Sequence, residues 1–425
     1  MARTTVTFKS IRGTKDILPG EAVRWQHVES VMRRVFHRFN YKEIRTPVFE
    51  QTALFARSIG ELTDIVGKEM YTFTDRSDDS ITLRPEGTAS VIRAYIQNNL
   101  GEAQPLVKVY YIGPMFRQER PQAGRLRQFH QFGAEAIGSQ QPEVDAEIIA
   151  MTICIYQELS LTEYSLKLNS VGCEKCRPHY REVLQTELRK IAAQLSPDSQ
   201  RRIENNPMRV LDSKEENDRK LTAAMPMISD YLCAECADHF DSVKKYLEAF
   251  HIPFSVDGRL VRGLDYYTKT AFELTSTALG SQDALAGGGR YDLLTQELGG
   301  KPTPGVGFAA GIERLMMVLE KTGSTETAEV NPELFIAAAD EASRQWVIST
   351  TMELRAKGVA VESDFLRRSL KAQMRDADRQ QATFVLVVGQ QELNSGKAGL
   401  KNMRTGERKE VVLKEIAAEF SRTGS

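Results

Sequence analysis

The chain has 425 residues, more than one hydrophobic core usually organises, so two or three domains are expected. Hydrophobic residues make up 41% and charged residues 27%, which excludes a disordered or collagen-like chain. The formal charge of −1 excludes a general polycation, so any surface for nucleic acid must gather its basic residues locally.

In chain order, the opening Met1-Ala2-Arg3-Thr4-Thr5 lacks the apolar core of a signal peptide. No apolar run approaches the roughly 18 to 20 residues that span a bilayer. Five cysteines in this length do not make a disulfide scaffold, and the cytoplasm is the expected compartment. From Val23 to Phe39 the apolar residues Val28, Val31, Met32, Val35, Phe36 and Phe39 fall at helical spacing. Glu43 to Phe49 then reads as extended, and Pro47 confines it to a sheet edge, a strand end or an interface. Val107-Lys108-Val109-Tyr110-Tyr111, Gln128 to Ala136 and Ala271 to Thr275 read as strands of an antiparallel sheet. The charged, helix-patterned stretch 172–247 reads as an insertion into that sheet domain. A polar run, GSTETAEVNP, reads as a linker. Beyond it, Leu334 to Ala339, Val359 to Ser363 and Thr383 to Val388 are strand-like, alternating with helices over Glu341 to Lys357 and Ser369 to Arg379. That is the pattern of a small α/β domain.

Five segments carry chemistry. In FRQERPQAGRLRQFHQFGAE, Phe116 to Glu135, a loop holding Arg117, Arg120, Arg125 and Arg127 joins two strands. On the second strand Phe129, Gln131, Gly133 and Glu135 share one face, because side chains alternate. An aromatic plane, an amide, a gap and a carboxylate make the floor of a small-molecule pocket rather than a core. In TLRPEGTAS, Glu86, Gly87 and Thr88 offer a carboxylate and a hydroxyl at a turn; such a residue holds a ligand ammonium or caps the next helix. LVRGLDYYTKTAFE sets Arg262 near Tyr266 and Tyr267, either a fixed cation at an aromatic wall or an interfacial pair. GGGRYDLL, with Tyr291, allows close backbone approach or a tight turn. GVGFAAGIERLMMVL leads a Gly-rich strand into a helix with Arg314 in its first turn, where a cation asks for an anionic partner.

In this order the segments resemble the histidyl-tRNA synthetase family of class II aminoacyl-tRNA synthetases, over essentially the whole chain. Phe116 to Glu135 is similar to class II motif 2, Gly305 to Leu319 to motif 3, and Val28 to Phe49 to the dimer-forming motif 1. IRGTKDILP, Ile11 to Pro19, is also typical of the family, and Gln118 is a small departure from it. The resemblance implies an α+β fold. A class II antiparallel-sheet catalytic core would span 1–325, with the helical insertion at 172–247 and an α/β anticodon-binding domain at 330–425. It implies that ATP with Mg²⁺ activates L-histidine and that the acyl group passes to tRNA(His). Glu86, Gly87, Thr88 and Gln131 would hold the amino acid's ammonium end. Glu135 and Tyr267 would read its imidazole, with Tyr266 and Tyr291 closing the pocket. Arg117 and Arg262 would be catalytic at the α-phosphate. Phe129 and Arg314 would sandwich adenine, and Glu119 or a nearby carboxylate would place Mg²⁺. Arg120, Arg125 and Arg127 would meet the acceptor stem, and Arg367, Arg368, Lys371 and Arg375 are candidates for the anticodon end. A solvated helix face explains those last four equally well. A homodimer is implied, and no membrane partner.

Cys173-x-x-Cys176 and Cys233-x-x-Cys236 form two knuckles inside the insertion. They make a tetrahedral zinc site if they meet in space, and a set of reduced thiols if they do not. Cys154 lies in an apolar stretch and reads as core. Two rivals fit less well. A histidine-binding regulatory subunit of an ATP phosphoribosyltransferase usually lacks the C-terminal domain. A class II synthetase for proline or threonine does not account for Glu135 with LVRGLDYY.

Overall fold

The computed structural model describes residues 8–60, 63, 65–122, 124–213, 215–261, 266–279, 284–323 and 331–420. Arg262, expected at the catalytic centre, and residues 324–330 of the expected linker lie outside them. The chain divides into two compact units, Met1–Thr327 and Ala328–Ser425.

The first unit is organised on an eight-stranded sheet. Its order is Lys42–Glu43, Val107–Phe116, Gln128–Ile137, Gly305–Gly311, Ala284–Arg290, Thr268–Thr275, Ser165–Ser170 and Ser255–Val256. The interior pairs are antiparallel, as expected, while the two-residue strand at each edge pairs parallel to its neighbour. The helices Pro19–Arg38, Pro142–Glu158 and Ala234–Ala249 cover one face. Val31, Val35 and Phe36 from the first, Ile148 and Ile149 from the second, and Val243 and Leu247 from the third meet Phe132, Ala134, Ala136 and Phe308 of the sheet. Because strand side chains alternate, those even-numbered residues commit Gln131, Gly133 and Glu135 to the opposite face.

Two details differ from the sequence expectations. The extended segment after the first helix is split between two sheets. Lys42–Glu43 joins the large sheet, and Phe49–Gln51 pairs with Ser80–Leu83 in a separate three-stranded sheet. Pro47 sits between them, and Arg84 pins the crossing by donating to the Thr46 and Pro47 carbonyls at 2.9 and 3.3 Å and to Pro114 at 2.9 Å. The stretch 172–247 is helical, but its last helix runs to Ala249 and belongs to the core behind the sheet. A buried ion pair fixes that junction: Asp145 accepts from Arg290 and lies 3.2 Å from His239. Burial alone would raise the Asp145 carboxyl, and the Arg290 guanidinium with His239 overcomes it, leaving it below its ordinary value.

The second unit has a five-stranded sheet ordered Val361–Ser363, Leu334–Ala338, Phe384–Val388, Lys397–Asn402, Arg408–Val412. The first three strands are parallel and the last two antiparallel. The helices Arg344–Ala356 and Leu370–Arg379 fall where the alternation put them.

Candidate active site

The face of the sheet away from the covering helices carries a cleft. Its walls are Glu86, Thr88, Arg117, Glu119, Arg125, Phe129, Gln131, Tyr266, Tyr267, Glu313 and Arg314, with the backbone of 286–287 and 309–311 as floor. It gathers residues from all the chemistry-bearing segments. In register, Gln131 lies between Gly113 and Gly311, and Glu135 between Val109 and Gly307, so glycine neighbours leave the amide and the carboxylate room. A Cβ at Gly307 would stand 1.7 Å from Glu135 Oε2.

Glu86 takes the capping role and faces the cleft as well. Its carboxylate caps the helix Thr88–Gln97, accepting from the Thr88 and Ala89 amides at 2.7 and 2.8 Å, and it also lines the cleft. Burial raises its pKa, against the pull of those two hydrogen bonds and of Arg117. Glu135 stands behind the wall, fully buried. Thr88 Oγ1 donates to one carboxylate oxygen at 2.7 Å and Tyr291 Oη to the other at 2.5 Å. Burial pushes Glu135 up to about 8, opposed by the two hydroxyls and reinforced by Glu86. Tyr266 stacks obliquely on Tyr267 at 4.7 Å and edge-on to Tyr291 at 5.8 Å, forming an aromatic wall over the carboxylate. Gln131 Oε1 is buried with no hydrogen-bond partner among the described residues.

At the other end of the cleft Arg117 donates to the Pro85 carbonyl at 2.9 Å, and its guanidinium lies 5.3 Å from the Phe129 ring centre. The cation nearest Phe129 is therefore Arg117. Arg314, expected to sandwich adenine against Phe129, reaches the Gly124 and Ala284 carbonyls at 3.2 and 2.9 Å and braces the loop against the neighbouring strand. Burial, and then Arg125, lowers the Arg314 pKa, so its positive charge is held at a cost that an anion would relieve.

The other three loop arginines separate. Arg120 is exposed. Arg125 lines the cleft 3.2 Å from Glu119. Arg127 instead anchors the N-terminal segment: its amide donates to Gly13 at 2.7 Å. The two C-x-x-C pairs do meet, with all four sulfurs within 4.8 Å of one another.

Sequence reasoning missed four positions. Tyr111 lies against Gly133, where a Cβ would fall 2.5 Å from its hydroxyl. Glu313 takes the His130 amide at 2.9 Å, and its place in the first turn of a helix was the available signal. Arg84 and Arg290 were quoted within their segments and given no role, because their partners at 46–47, 114 and 145 are distant in sequence.

The model of the family described as histidyl-tRNA synthetase matches residues 13–315, and that of the anticodon binding domain matches 333–423. The chain is 49% identical to the histidine–tRNA ligase of Desulforamulus reducens over 405 residues, covering 95% of this chain and 97% of that protein. It is 52% identical to that of Chloroherpeton thalassium, covering 95% of each. The apo histidyl-tRNA synthetase of S. aureus superposes with a TM-score of 0.84 at 41% identity, over 98% of this chain and 100% of that one. On this sequence, fold and site geometry, the chain belongs to the histidyl-tRNA synthetase family.

Proposed function

We propose that the cleft carries out both half-reactions of a histidine–tRNA ligase. The histidine carboxylate attacks the α-phosphorus of ATP in line, the bond to the β-phosphate breaks, and pyrophosphate leaves. A hydroxyl of the tRNA's terminal ribose then attacks the carbonyl of the adenylate and AMP departs. The observation that carries this reading is the cleft itself, which sets the buried Glu86 carboxylate and the unpartnered Gln131 Oε1 among Arg117, Arg125 and Arg314, with the buried Glu135 behind its wall. Such a site favours a ligand with a cationic, hydrogen-bonding end and an anionic partner.

Glu86, Thr88 and Gln131 take the α-ammonium in this reading, with Gly87 leaving the turn open. Glu135 and Tyr267 address the two imidazole nitrogens, and Tyr266 and Tyr291 exclude water around them. Hydrogen-bonded selection of this kind rejects analogues lacking the groups by about 10⁴ to 10⁵. Arg117 and Arg262 stabilise the charge that grows on the α-phosphate oxygens. Phe129 offers its ring face to adenine once Arg117 turns to the phosphate, with Arg314 at the opposite side. Glu119 and Glu313, hard oxygen donors in the lining, would hold a Mg²⁺ bound with ATP, which would supply positive charge beside the leaving pyrophosphate.

Arg120, Arg125 and Arg127 face the acceptor end in the same reading. At the anticodon end the exposed Arg367, Lys371 and Arg375 remain candidates. Arg368 is held at 2.5 Å by both Asp364 and Asp376 and is given a structural role instead. The exposed Val48 and Phe49 support a homodimer through that segment. No helix among the described residues is long and apolar enough to cross a membrane, and the reading sets the activity in the cytoplasm. The four cysteines take a structural Zn²⁺.

The test is a pair of variants in histidine-dependent ATP–pyrophosphate exchange. Gln131→Ala loses a bond to a charged group, about 1.5 to 3 kcal/mol, and raises KM for histidine about 10- to 100-fold with KM for ATP unchanged. Arg117→Ala lowers kcat about 10²- to 10³-fold. Equal changes in both KM values for Gln131→Ala would remove that residue from the amino-acid site.

A further inference from the structure

The four sulfurs of the insertion are spaced like a coordination shell. Cys173 Sγ lies 3.6 Å from Cys176 Sγ and 3.8 Å from Cys233 Sγ, while Cys176 Sγ lies 3.9 Å from Cys233 Sγ and 3.7 Å from Cys236 Sγ. A tetrahedron with Zn–S bonds of about 2.3 Å puts its sulfurs about 3.8 Å apart. A disulfide needs about 2.05 Å, so these are four separate sulfurs turned to one point. The Cys173 amide donates to Cys176 Sγ at 3.2 Å and the Lys175 amide to Cys173 Sγ at 3.4 Å, bonds that suit thiolate acceptors.

Both knuckles are also tied to the chain that follows the aromatic wall of the cleft. Gly172, beside Cys173, accepts from the Lys269 amide at 2.9 Å, and the Val171 amide donates to the Lys269 carbonyl at 2.7 Å. Arg177, next after Cys176, donates to the Val171 carbonyl at 2.9 Å and also to the carbonyl of Tyr267. From the other knuckle Glu235, between Cys233 and Cys236, accepts from the buried Lys269 Nζ at 3.0 Å. Lys269 follows Tyr266 and Tyr267 by only a few residues, and both tyrosines line the cleft.

We infer that Zn²⁺ bound by Cys173, Cys176, Cys233 and Cys236 clamps the segment Tyr266–Lys269 through Arg177 and Glu235, so that metal occupancy sets the affinity for histidine. Binding exchanges four thiol protons for the ion and leaves a site of charge −2. Arg177 and Lys269 then act as positioning residues that compensate this charge and carry its placement to Tyr267. Loss of the ion frees the two knuckles to part and loosens the histidine end of the cleft, while the ATP end, held by Arg117 and Arg314, is untouched. The coupling rests on the reading of Tyr266 and Tyr267 as histidine-binding.

The test uses the full-length protein. Zinc is measured by mass spectrometry. The ion is then displaced with a mercurial and followed with a metallochromic dye while pyrophosphate exchange is assayed. The expected result is about one zinc per chain, with release tracking a rise in KM for histidine of about tenfold. KM for ATP stays constant, and thiol with Zn²⁺ restores the original values. Arg177→Ala, which leaves every sulfur in place, is expected to retain zinc and still raise KM for histidine. A chain that neither contains zinc nor takes it up would overturn the site. Zinc release with an unchanged histidine KM would overturn the clamp. Absence of any histidine-dependent exchange in the untreated protein would instead count against the histidine pocket itself.

Discussion

Glu135 is a carboxylate placed where burial opposes its charge, pushed up to about 8 with Thr88 and Tyr291 as its donors. In the unfolded chain a glutamate titrates near about 4.3. Between those values the native state holds a proton that the unfolded state has lost. The stability from this group is therefore full below about pH 4.3 and is lost as pH rises through about 8. Glu135→Gln cannot ionise. Its melting temperature, relative to that of the parent protein, is expected to rise between about pH 5.5 and 8. Thermal melts at the two pH values check this, and parallel profiles would mean that Glu135 is ionised throughout. At this scale the reading from sequence went far. The two-residue period put Gln131 and Glu135 on one face, and Phe132 and Ala134 do pack on the other. It could not see that Tyr291 bonds Glu135 across 156 positions, or that the Arg117 guanidinium lies over the Phe129 ring. Such pairings depend on which strands become neighbours.

The strand Gly305–Gly311 shows how an element serves the site by lacking side chains. Gly307 makes room for Glu135 and Gly305 for Tyr291, whose ring a Cβ would meet at 2.3 Å. Gly307→Ala would also place its Cβ 2.6 Å from the Ala134 carbonyl, so neither strand can accommodate it by a rotamer change. Denaturant unfolding is expected to report a loss of about 1 to 3 kcal/mol, as for overpacking in a core, together with weaker histidine binding. Unchanged stability would mean that the pairing of the two strands is looser than this register. Long periodic helices were readable to within a few residues, Pro19–Arg38 against an expected start at Val23. The segment after it was not, since an extended pattern does not say which of two sheets receives each half. The strands Lys397–Asn402 and Arg408–Val412 carry few apolar residues and gave no clear period.

For the whole molecule, the order of motifs pointed to a catalytic unit followed by a smaller α/β unit, and the match of two family models in that order agrees. What sequence order could not supply was the junction at the back of the sheet, where Asp145, Arg290 and His239 close over the last helix of the inserted segment. Nor could spacing alone bring together cysteine pairs 57 to 60 positions apart. The central claim is that one cleft selects histidine and activates it with ATP. The most direct measurement is ATP–pyrophosphate exchange by the full-length protein with each of the standard amino acids in turn. Exchange with histidine alone, falling on substitution Glu135→Gln through a higher KM for histidine, is the result this account requires. Exchange supported by another amino acid, or histidine binding without any exchange, would contradict it.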